Sequence, residues 1–470
     1  MSQREISKYC KVYNLELSCR RRIIEMIIDA NKIEKGTKFE ADVCIVGGGP
    51  AGIALARELI STQIKVVLLE SGGRRFRHIP QWLNIGDNTG TPYPDLVYTR
   101  HRMLGGSTYK WYGFCRPLDQ IDFEKRDWVP HSGWPVSRDD LNPFCKRANA
   151  FFQLPVNEFS SSGALADEQQ ELKTAAIETR LFQFSLHIGF GDVYTAEIAS
   201  SGNVTILLQA NVMELVPSEG REYINTALVT SQNRHDIFIK ARIFVLAAGG
   251  IENAPILLCS NRVWKNGLGN QNDLVGRFFN EHPTAFYAGI SNQEGNIFRG
   301  IYKPQNYKNM TENPNPVAAL SVRDAVTRER KMLNGHAFIV SRPGYKLSPP
   351  YNSKAGTGLT HLAEILSHCR IPDKSTWDDC RMTLSQPGTI LRIRKEQAGN
   401  KFSPQTRVAL KVHLETAPNP DSRVTLSGKR DRLGMPRVDL DWRLTRQDLE
   451  SGNEFINLIK QGAEDLGYHV

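Results

Sequence analysis

Apolar positions along the chain fall into runs, alternations and helical stripes, and each predicts an element. Residues 42–46 form a short apolar run closed by glycine, which predicts a buried strand. Ile53, Ala56, Leu59 and Ile60 then share one face of a helix, and residues 66–69 form a second buried run that ends in Glu70. Residues 203–216 predict further strands, and 243–246 another buried strand before a glycine pair and a helix. Val408, Leu410, Val412 and Leu414 alternate, as in a strand with one face inward, which leaves His413 on the polar side as a surface residue. Ser137 opens a helix that runs to about Phe152. Asn419, Pro420 and Asp421 predict a turn between two strands, and 158–165 reads as loop. Near the end, Leu449, Ile456, Ile459, Ala463 and Leu466 stand at helical spacing. Thr445 and Asp448 make a capping-box start to that helix, and Gly467 its stop.

Composition narrows the class. With 470 residues, 40% of them hydrophobic and 23% charged, the chain is an ordinary globular protein of two to four domains or one large two-part enzyme. No run approaches the ~18 apolar residues of a membrane-spanning helix. Eight cysteines are scattered without a CxxC pair, so neither a zinc site nor a disulfide scaffold is indicated. Unpaired thiols suit a reducing compartment, and a cytoplasmic location is expected. The net charge of +9 is partly front-loaded, because residues 1–25 hold six bases and three acids. That segment lacks the apolar core of a secretory signal and reads as an extension, with Met26 as an alternative start. No basic stripe interleaves with aromatics, so no nucleic-acid partner is expected. The charge-rich segments 321–331 and 391–397 read as solvated helix faces.

The chemistry begins at the first strand. Gly47, Gly49 and Gly52 give GxGxxG between a strand and a helix, and Glu70 ends the next strand 18 residues after Gly52. Gly47 permits the tight turn, Gly49 lets the backbone approach a pyrophosphate, and Gly52 lets helix and strand pack. The helix N-terminus offers unpaired N–H groups to the phosphates. Glu70 is placed to accept from ribose hydroxyls, which suits FAD or NAD and repels the extra phosphate of NADP. Two later features favour FAD. One is Gly105, Gly106 and Ser107, whose backbone can meet a pyrophosphate or a flavin edge. The other is a second strand–glycine–helix junction at 243–258, with Gly249 and Gly250. NAD remains the lesser alternative.

These motifs, with Trp111 and Gly113, the run AAGGIEN at 247–253 and VGRFFNEHP at 275–283, resemble the bacterial type of the glucose–methanol–choline (GMC) flavoprotein oxidoreductases. The segments 134–149 and 417–449 are similar to that type as well. The resemblance runs from about Met26 to the end. It implies an α/β fold, α+β overall, with a Rossmann-like FAD-binding domain built from discontinuous segments and a substrate domain with an antiparallel sheet. On that basis the FAD-binding domain takes 40–110, 195–280 and 421–470, and the substrate domain 111–194 and 281–420. The excursion at 74–98 would cover the flavin. The resemblance further implies a dehydrogenase or oxidase that oxidises the CH–OH group of a sugar or alcohol by hydride transfer to FAD. The electron acceptor is left open between oxygen, a quinone and a partner protein. Gly47, Gly49, Gly52 and Glu70 would hold the ADP half, Val212 would meet the adenine through its backbone, and Gly249 and Gly250 would support the nucleotide from the other side. Thr108, Tyr109 and Lys110 stand where some relatives carry a flavin-linked histidine, so non-covalent FAD is expected.

The family's base is a histidine of a C-terminal His–His or His–Asn pair, and the chain has no such pair. His469 stands near the end without a partner beyond it. On that pattern the chain reads as C-terminally truncated, its catalytic residues are left unassigned, and its first sheet should show an unpaired edge. Weak FAD retention and little alcohol oxidation would follow. The alternative is a catalytically impaired paralogue or gene fragment that retains only the nucleotide-binding part. Of the other histidines, His282 reads as a turn residue, and His101 and His131 stand near glycine-rich loops.

Overall fold

The computed structural model describes residues 25–111, 113–154, 159, 171–185, 189–292, 302, 316–341 and 408–470. The expectations for residues 1–24, for most of 158–165 and for 391–397 lie outside these.

Long apolar runs build the first sheet. Its strands are β1 (Ile27–Asp29), β2 (Lys38–Val46), β3 (Val66–Glu70), β7 (Val204–Leu208), β8 (Ala210–Pro217), β9 (Ile224–Ser231) and β10 (Asp236–Leu246), in the order β1-β7-β3-β2-β10-β9-β8. The first five in that order are parallel, and β9 and β8 close antiparallel. Val43 and Ile45 of β2 pack under helices α1 (Pro50–Leu59) and α3 (Phe190–Ser200), beside Ile53, Ala56, Phe190 and Ile198. Cys44 and Val46 face the opposite layer, with Leu215, Val229, Ile239 and Ile256. A strand buried on both faces reads as a continuous apolar run, so 42–46 was legible without alternation.

The second sheet is antiparallel throughout. It contains β5 (Phe114–Cys115), β6 (Ile177–Phe184), β11 (Thr284–Gly289), β13 (Val317–Val322), β14 (Gly335–Ser341) and β15 (Val408–Leu414), ordered β11-β15-β14-β13-β6-β5. One face is covered by helix α6 (Arg446–Asp465). Phe455, Ile459 and Ala463 pack there on Ile177, Leu320, Ile339 and Leu410. The last helix, within the segment 421–470, thus packs on the second sheet. Helical spacing shows that α6 buries a stripe but does not say which sheet receives it. The caps are as expected. Thr445 Oγ1 accepts from the Asp448 N–H at 3.2 Å, and the Thr445 N–H donates to Asp448 Oδ2 at 2.5 Å. Gly467 follows at φ +83°.

A third, small sheet joins β4 (Gly86–Asn88), β16 (Arg423–Arg430) and β17 (Pro436–Asp441), and it packs on helix α4 (Gly250–Cys259) through Val424, Leu440, Ile251 and Ala254. Two short strands, β12 (Ser291–Asn292) and β18 (Tyr468–His469), pair with each other, so His469 lies in a strand pair away from the nucleotide motifs. Helix α2 (Arg138–Phe151) starts at the expected Ser137 cap, and the turn before β16 is closed by the Ser422 N–H on the Asn419 carbonyl at 3.1 Å. Helix α5 (Asp324–Glu329) occupies part of the charge-rich segment 321–331.

Among the described residues the pairing of β10 changes along its length. Strand β9 pairs with β10 only over 236–240, while the second half of β10 pairs with β2 alone. Ile243 in that half is 56% exposed.

A buried ionic node ties the second sheet to the chain that crosses it. Asp119 accepts from Arg116 at 2.7 Å, from Arg180 and from Asn334 Nδ2 at 3.2 Å, and Arg180 reaches on to Asp324 at 2.5 Å. Burial pushes the Asp119 carboxyl up, but Arg116 and Arg180 outweigh it and hold the group below the ordinary aspartate value. A depressed carboxyl stabilises the fold above its unfolded pKa of about 3.9 and loses that contribution as pH falls through the folded value. Asp119→Asn is therefore less stable than the parent at pH 7, and the gap closes as pH drops below about 4. Denaturation midpoints at pH 7 and pH 3 check this. A gap independent of pH contradicts it.

Candidate nucleotide and substrate cavities

The glycine turn between β2 and α1 is packed to the limit of its backbone. Gly47 has φ +112°, and a Cβ there would lie 2.5 Å from the Ala247 carbonyl oxygen. A Cβ on Gly52 would lie 1.9 Å from the Gly47 carbonyl oxygen, which is the close helix–strand contact assigned to it from the sequence. Gly49 differs, because it caps α1 in an extended conformation and the nearest atom to a Cβ there is 3.9 Å away. The space beside Gly49 is open.

The second glycine segment lies directly on this turn. The Gly105 N–H donates to the Gly48 carbonyl at 2.7 Å, and a Cβ on Gly106 would stand 3.0 Å from Gly49 Cα. Ser107 lines the cavity beside them. Gly249 and Gly250, at the start of α4, have nothing within 4 Å of a Cβ. Gly47, Gly49, Glu70, Gly106, Ser107, Val212 and Gly249 line one cavity of about 420 Å³. Gly250 lies on an adjoining cavity of about 630 Å³, while Gly52 and Gly105 act behind the wall by packing. The two cavities share Arg100, Ser107, Ala248, Gly249 and Asn253.

Glu70 is committed more to the protein than the sequence suggested. Its carboxylate accepts from the Gly48 N–H at 3.0 Å, the Gly72 N–H at 2.7 Å and Ser71 Oγ at 3.3 Å. Burial pushes its pKa up against the pull of those donors. A carboxylate has about four acceptor positions, so one remains toward the cavity it lines.

Three residues that spacing could not reveal complete this cavity. Glu252 of α4 accepts from Arg100 Nε at 3.0 Å and from Arg102 at 2.5 Å, and Arg102 also donates to Asn84 at 2.6 Å. Burial raises the Glu252 carboxyl, yet Arg102 and Arg100 hold it below its ordinary value. Two guanidiniums thus meet one carboxylate beside the open glycines, with Glu70 and Asp431 on the same cavity wall. His101 lies between the two arginines. Burial and Lys110 push it down to about 4, and its Nδ1 is buried with no hydrogen-bond partner among the described residues. Open glycines, a helix N-terminus, two arginines and an orphaned polar nitrogen fit an anionic nucleotide cofactor.

The other face of the second sheet is the floor of a larger cavity, of about 880 Å³. Period-two alternation sends Leu410 and Val412 to α6, and Lys411 and His413 to this floor, beside His336, Phe338 and Val340 of β14. His413 is thus not a surface residue. Alternation showed that it faces away from the core, but only the sheet's second covering decided that this side is a cavity. His282 is likewise not a mere turn residue, for its ring lines the same cavity, as does His131. Asn280 also lines the cavity holding Ser107 and Gly249.

The nucleotide turn thus stands beside a second, larger cavity floored by the antiparallel sheet. Residues 40–79 match the model of an FAD binding domain. Among curated proteins the chain is 24% identical to the fructose dehydrogenase large subunit of Gluconobacter japonicus, over 52% of this chain and 59% of that one. It is equally 24% identical to a 2-methyl-1,2-propanediol dehydrogenase of Mycolicibacterium austroafricanum, over 56% and 59%. The chain thus spans about three fifths of the length of these relatives. The crystal structure of pyridoxine 4-oxidase from Mesorbium loti shares the fold, with a TM-score of 0.50 at 15% identity over 91% of this chain and 82% of that one. The chain carries an FAD-binding segment, and its cofactor is FAD.

Among the described residues no helix is long and apolar enough to cross a membrane, and no group of acidic, histidine or cysteine side chains could hold a metal ion.

Proposed function

We propose that this protein oxidises the CH–OH group of a sugar or alcohol, with FAD as the acceptor of the hydride. The observation that carries this reading is the set of shared wall residues, Ser107 and Gly249 beside the glycine turn and Asn280 beside a cavity floored by histidines. Bound FAD would accept two electrons and a proton as hydride from carbon. Gly49, Gly106 and the first turn of α1 would hold its diphosphate, with Arg100 and Arg102 supplying charge. Val212 would border the adenine, and Glu70 the ribose.

The hold on FAD is non-covalent in this reading. Thr108 spends its hydroxyl internally, donating to the Gly105 carbonyl at 2.7 Å and accepting from the Phe190 N–H at 3.2 Å. Trp111, Phe114, Phe182 and Phe338 wall the larger cavity, and aromatic faces against a few polar groups suit a small hydroxylated molecule. The described cysteines Cys44, Cys115, Cys145 and Cys259 are unpaired, which supports a reducing, cytoplasmic setting.

The test is the visible spectrum of the purified protein during anaerobic titration with a panel of sugars and alcohols. The expected result is about one released FAD per chain and full loss of the oxidised-flavin band with at least one compound. A colourless protein overturns the reading. Bound flavin that none of the panel bleaches leaves a nucleotide-binding remnant instead.

A further inference from the structure

One wall of the nucleotide cavity lies outside the first sheet. It is the turn between β16 and β17, whose Leu433, Met435 and Arg437 line the cavity together with Val212 and Met213 of β8. Among the described residues β17 pairs with β4 over Val438–Leu440, and past Leu426 and Val438 the two hairpin strands pair again only at Arg430 and Pro436. The ladder shifts register between Leu426 and Arg430, and a Cβ on Gly428 in that stretch would meet nothing within 4 Å. A shift of this kind interrupts the ladder and lets a strand bend. Lys429 Nζ, 2.6 Å from Asp87 Oδ2, ties this stem to β4. The turn beyond the stem is closed on itself. Asp431 Oδ1 accepts from the Leu433 N–H at 2.8 Å and from the Met435 N–H at 3.0 Å, the Asp431 N–H donates to the Met435 carbonyl at 2.8 Å, and Gly434 sits at φ +93°. A stiff tip thus stands on an anchored stem that can bend.

The tip is fastened to the first sheet at the turn between β9 and β10. Arg432 Nη2 donates to the Gln232 carbonyl at 2.7 Å, and Arg234 Nη2 donates back to the Arg432 carbonyl at 2.5 Å. The Ser231 N–H on the His235 carbonyl, at 3.0 Å, closes that turn. Neither Arg234 nor Arg432 lines the cavity. The two bonds join protein groups outside it, so they do not depend on a bound nucleotide.

We infer that the β16–β17 turn is the gate through which FAD enters and leaves its cavity, and that the reciprocal bonds of Arg432 to Gln232 and of Arg234 to Arg432 are the latch. The inference rests on FAD as the cofactor and is independent of the alcohol-oxidation reading.

Opening breaks both latch bonds and bends the stem near Gly428, while the turn keeps its own hydrogen bonds. Closing restores the latch and returns Leu433 and Met435 to the cavity wall. A covered ligand leaves no faster than its cover opens. The latch is the same in the empty and the loaded protein, and an interaction that does not discriminate between two states cannot shift the equilibrium between them. The latch therefore slows uptake and release by the same factor and leaves the affinity for FAD where the cavity sets it.

The experiment compares the parent with Arg234→Ala, Arg432→Ala and the double variant. Arg262→Ala is the control, since Arg262 is a surface arginine paired with Glu214 of β8 at 2.8 Å. Each protein is loaded with radiolabelled FAD and chased with unlabelled FAD, and the retained label gives the release rate. Quenching of flavin fluorescence on mixing apoprotein with FAD gives the uptake rate. The expected result is uptake and release both about tenfold faster in the double variant, with Kd within about twofold of the parent. Each single variant shows part of that acceleration, and the control shows none. Arg234 is exposed, so Arg234→Ala decides alone should the Arg432 variants fail to fold. Parental rates in every latch variant that folds overturn the inference. Faster release with unchanged uptake also overturns it, because the turn is then a fixed wall that contributes to affinity. Equal acceleration in Arg262→Ala overturns it as general loosening. A parent that retains no labelled FAD overturns the cofactor assignment together with the gate.

Discussion

Gly49→Val leaves the apoprotein folded and empties it of flavin. The nearest atom to a Cβ at Gly49 is 3.9 Å away, and its backbone is extended at φ −78°, so the protein itself has room for a side chain. Valine is a poor helix cap, and the fold loses about 1 kcal/mol at most. The space it fills, however, is the space a diphosphate must enter to reach the first N–H groups of α1. An affinity loss of at least ~100-fold, about 2.7 kcal/mol, is expected. Gly52→Ala behaves in the opposite order. Its Cβ would stand 1.9 Å from the Gly47 carbonyl oxygen, a backbone atom that cannot give way without moving the turn. That variant loses stability as apoprotein, by 1–3 kcal/mol on the scale of about one overpacked methyl group or more. Apoprotein melting curves and FAD titrations of the two variants separate the cases. Stoichiometric, tightly held FAD in Gly49→Val would show that the cofactor does not approach this turn.

Glu252→Gln destabilises the protein by about 3–5 kcal/mol, because it strands two mostly buried guanidiniums. Arg100 and Arg102 are 13% and 16% exposed, and both pair with that carboxylate. Glutamine can keep one hydrogen bond but no charge. The same variant adds one unit of positive charge to the wall of the nucleotide cavity, so bound FAD, whose diphosphate is anionic, recovers part of the loss. The gap between apo and holo denaturation midpoints should therefore widen relative to the parent. The sign with pH is also set. Arg102 and Arg100 outweigh burial and depress the Glu252 carboxyl, so its contribution is full above about pH 4.3 and fades as pH falls through the folded value. Glu252→Gln lacks that acid loss. Urea midpoints with and without FAD, at pH 7 and pH 4, measure both effects. An unchanged midpoint at pH 7 would mean that Arg100 and Arg102 are hydrated rather than held by Glu252.

The element types that carry the cofactor were legible because they depend on short spacings. A buried parallel strand is an uninterrupted apolar run, an amphipathic helix is a stripe, and a phosphate turn needs glycine where backbones meet. The run at 42–46, the stripe from Ile53 and the glycines at 47 and 52 were readable on that ground, and each lies within a dozen residues of the next. The capping box at Thr445 and the stop at Gly467 were readable for the same reason.

What lay beyond the sequence was every contact between segments far apart. Glu252 meets Arg100 and Arg102 across roughly 150 residues, and charge alone carries no address. The stripe of α6 fitted either sheet, and only packing on Leu410 and Ile177 assigned it to the second. His282 and His413 are separated by more than a hundred positions, and the pairing of Thr284 with His413 in neighbouring strands is what stacks their rings over a cavity. The chain's pattern thus determined the local elements and the FAD turn, since backbone sterics and periodicity act over a few residues. The tertiary structure alone decided which polar faces meet water and which enclose a site, since that depends on what covers the far side of a sheet.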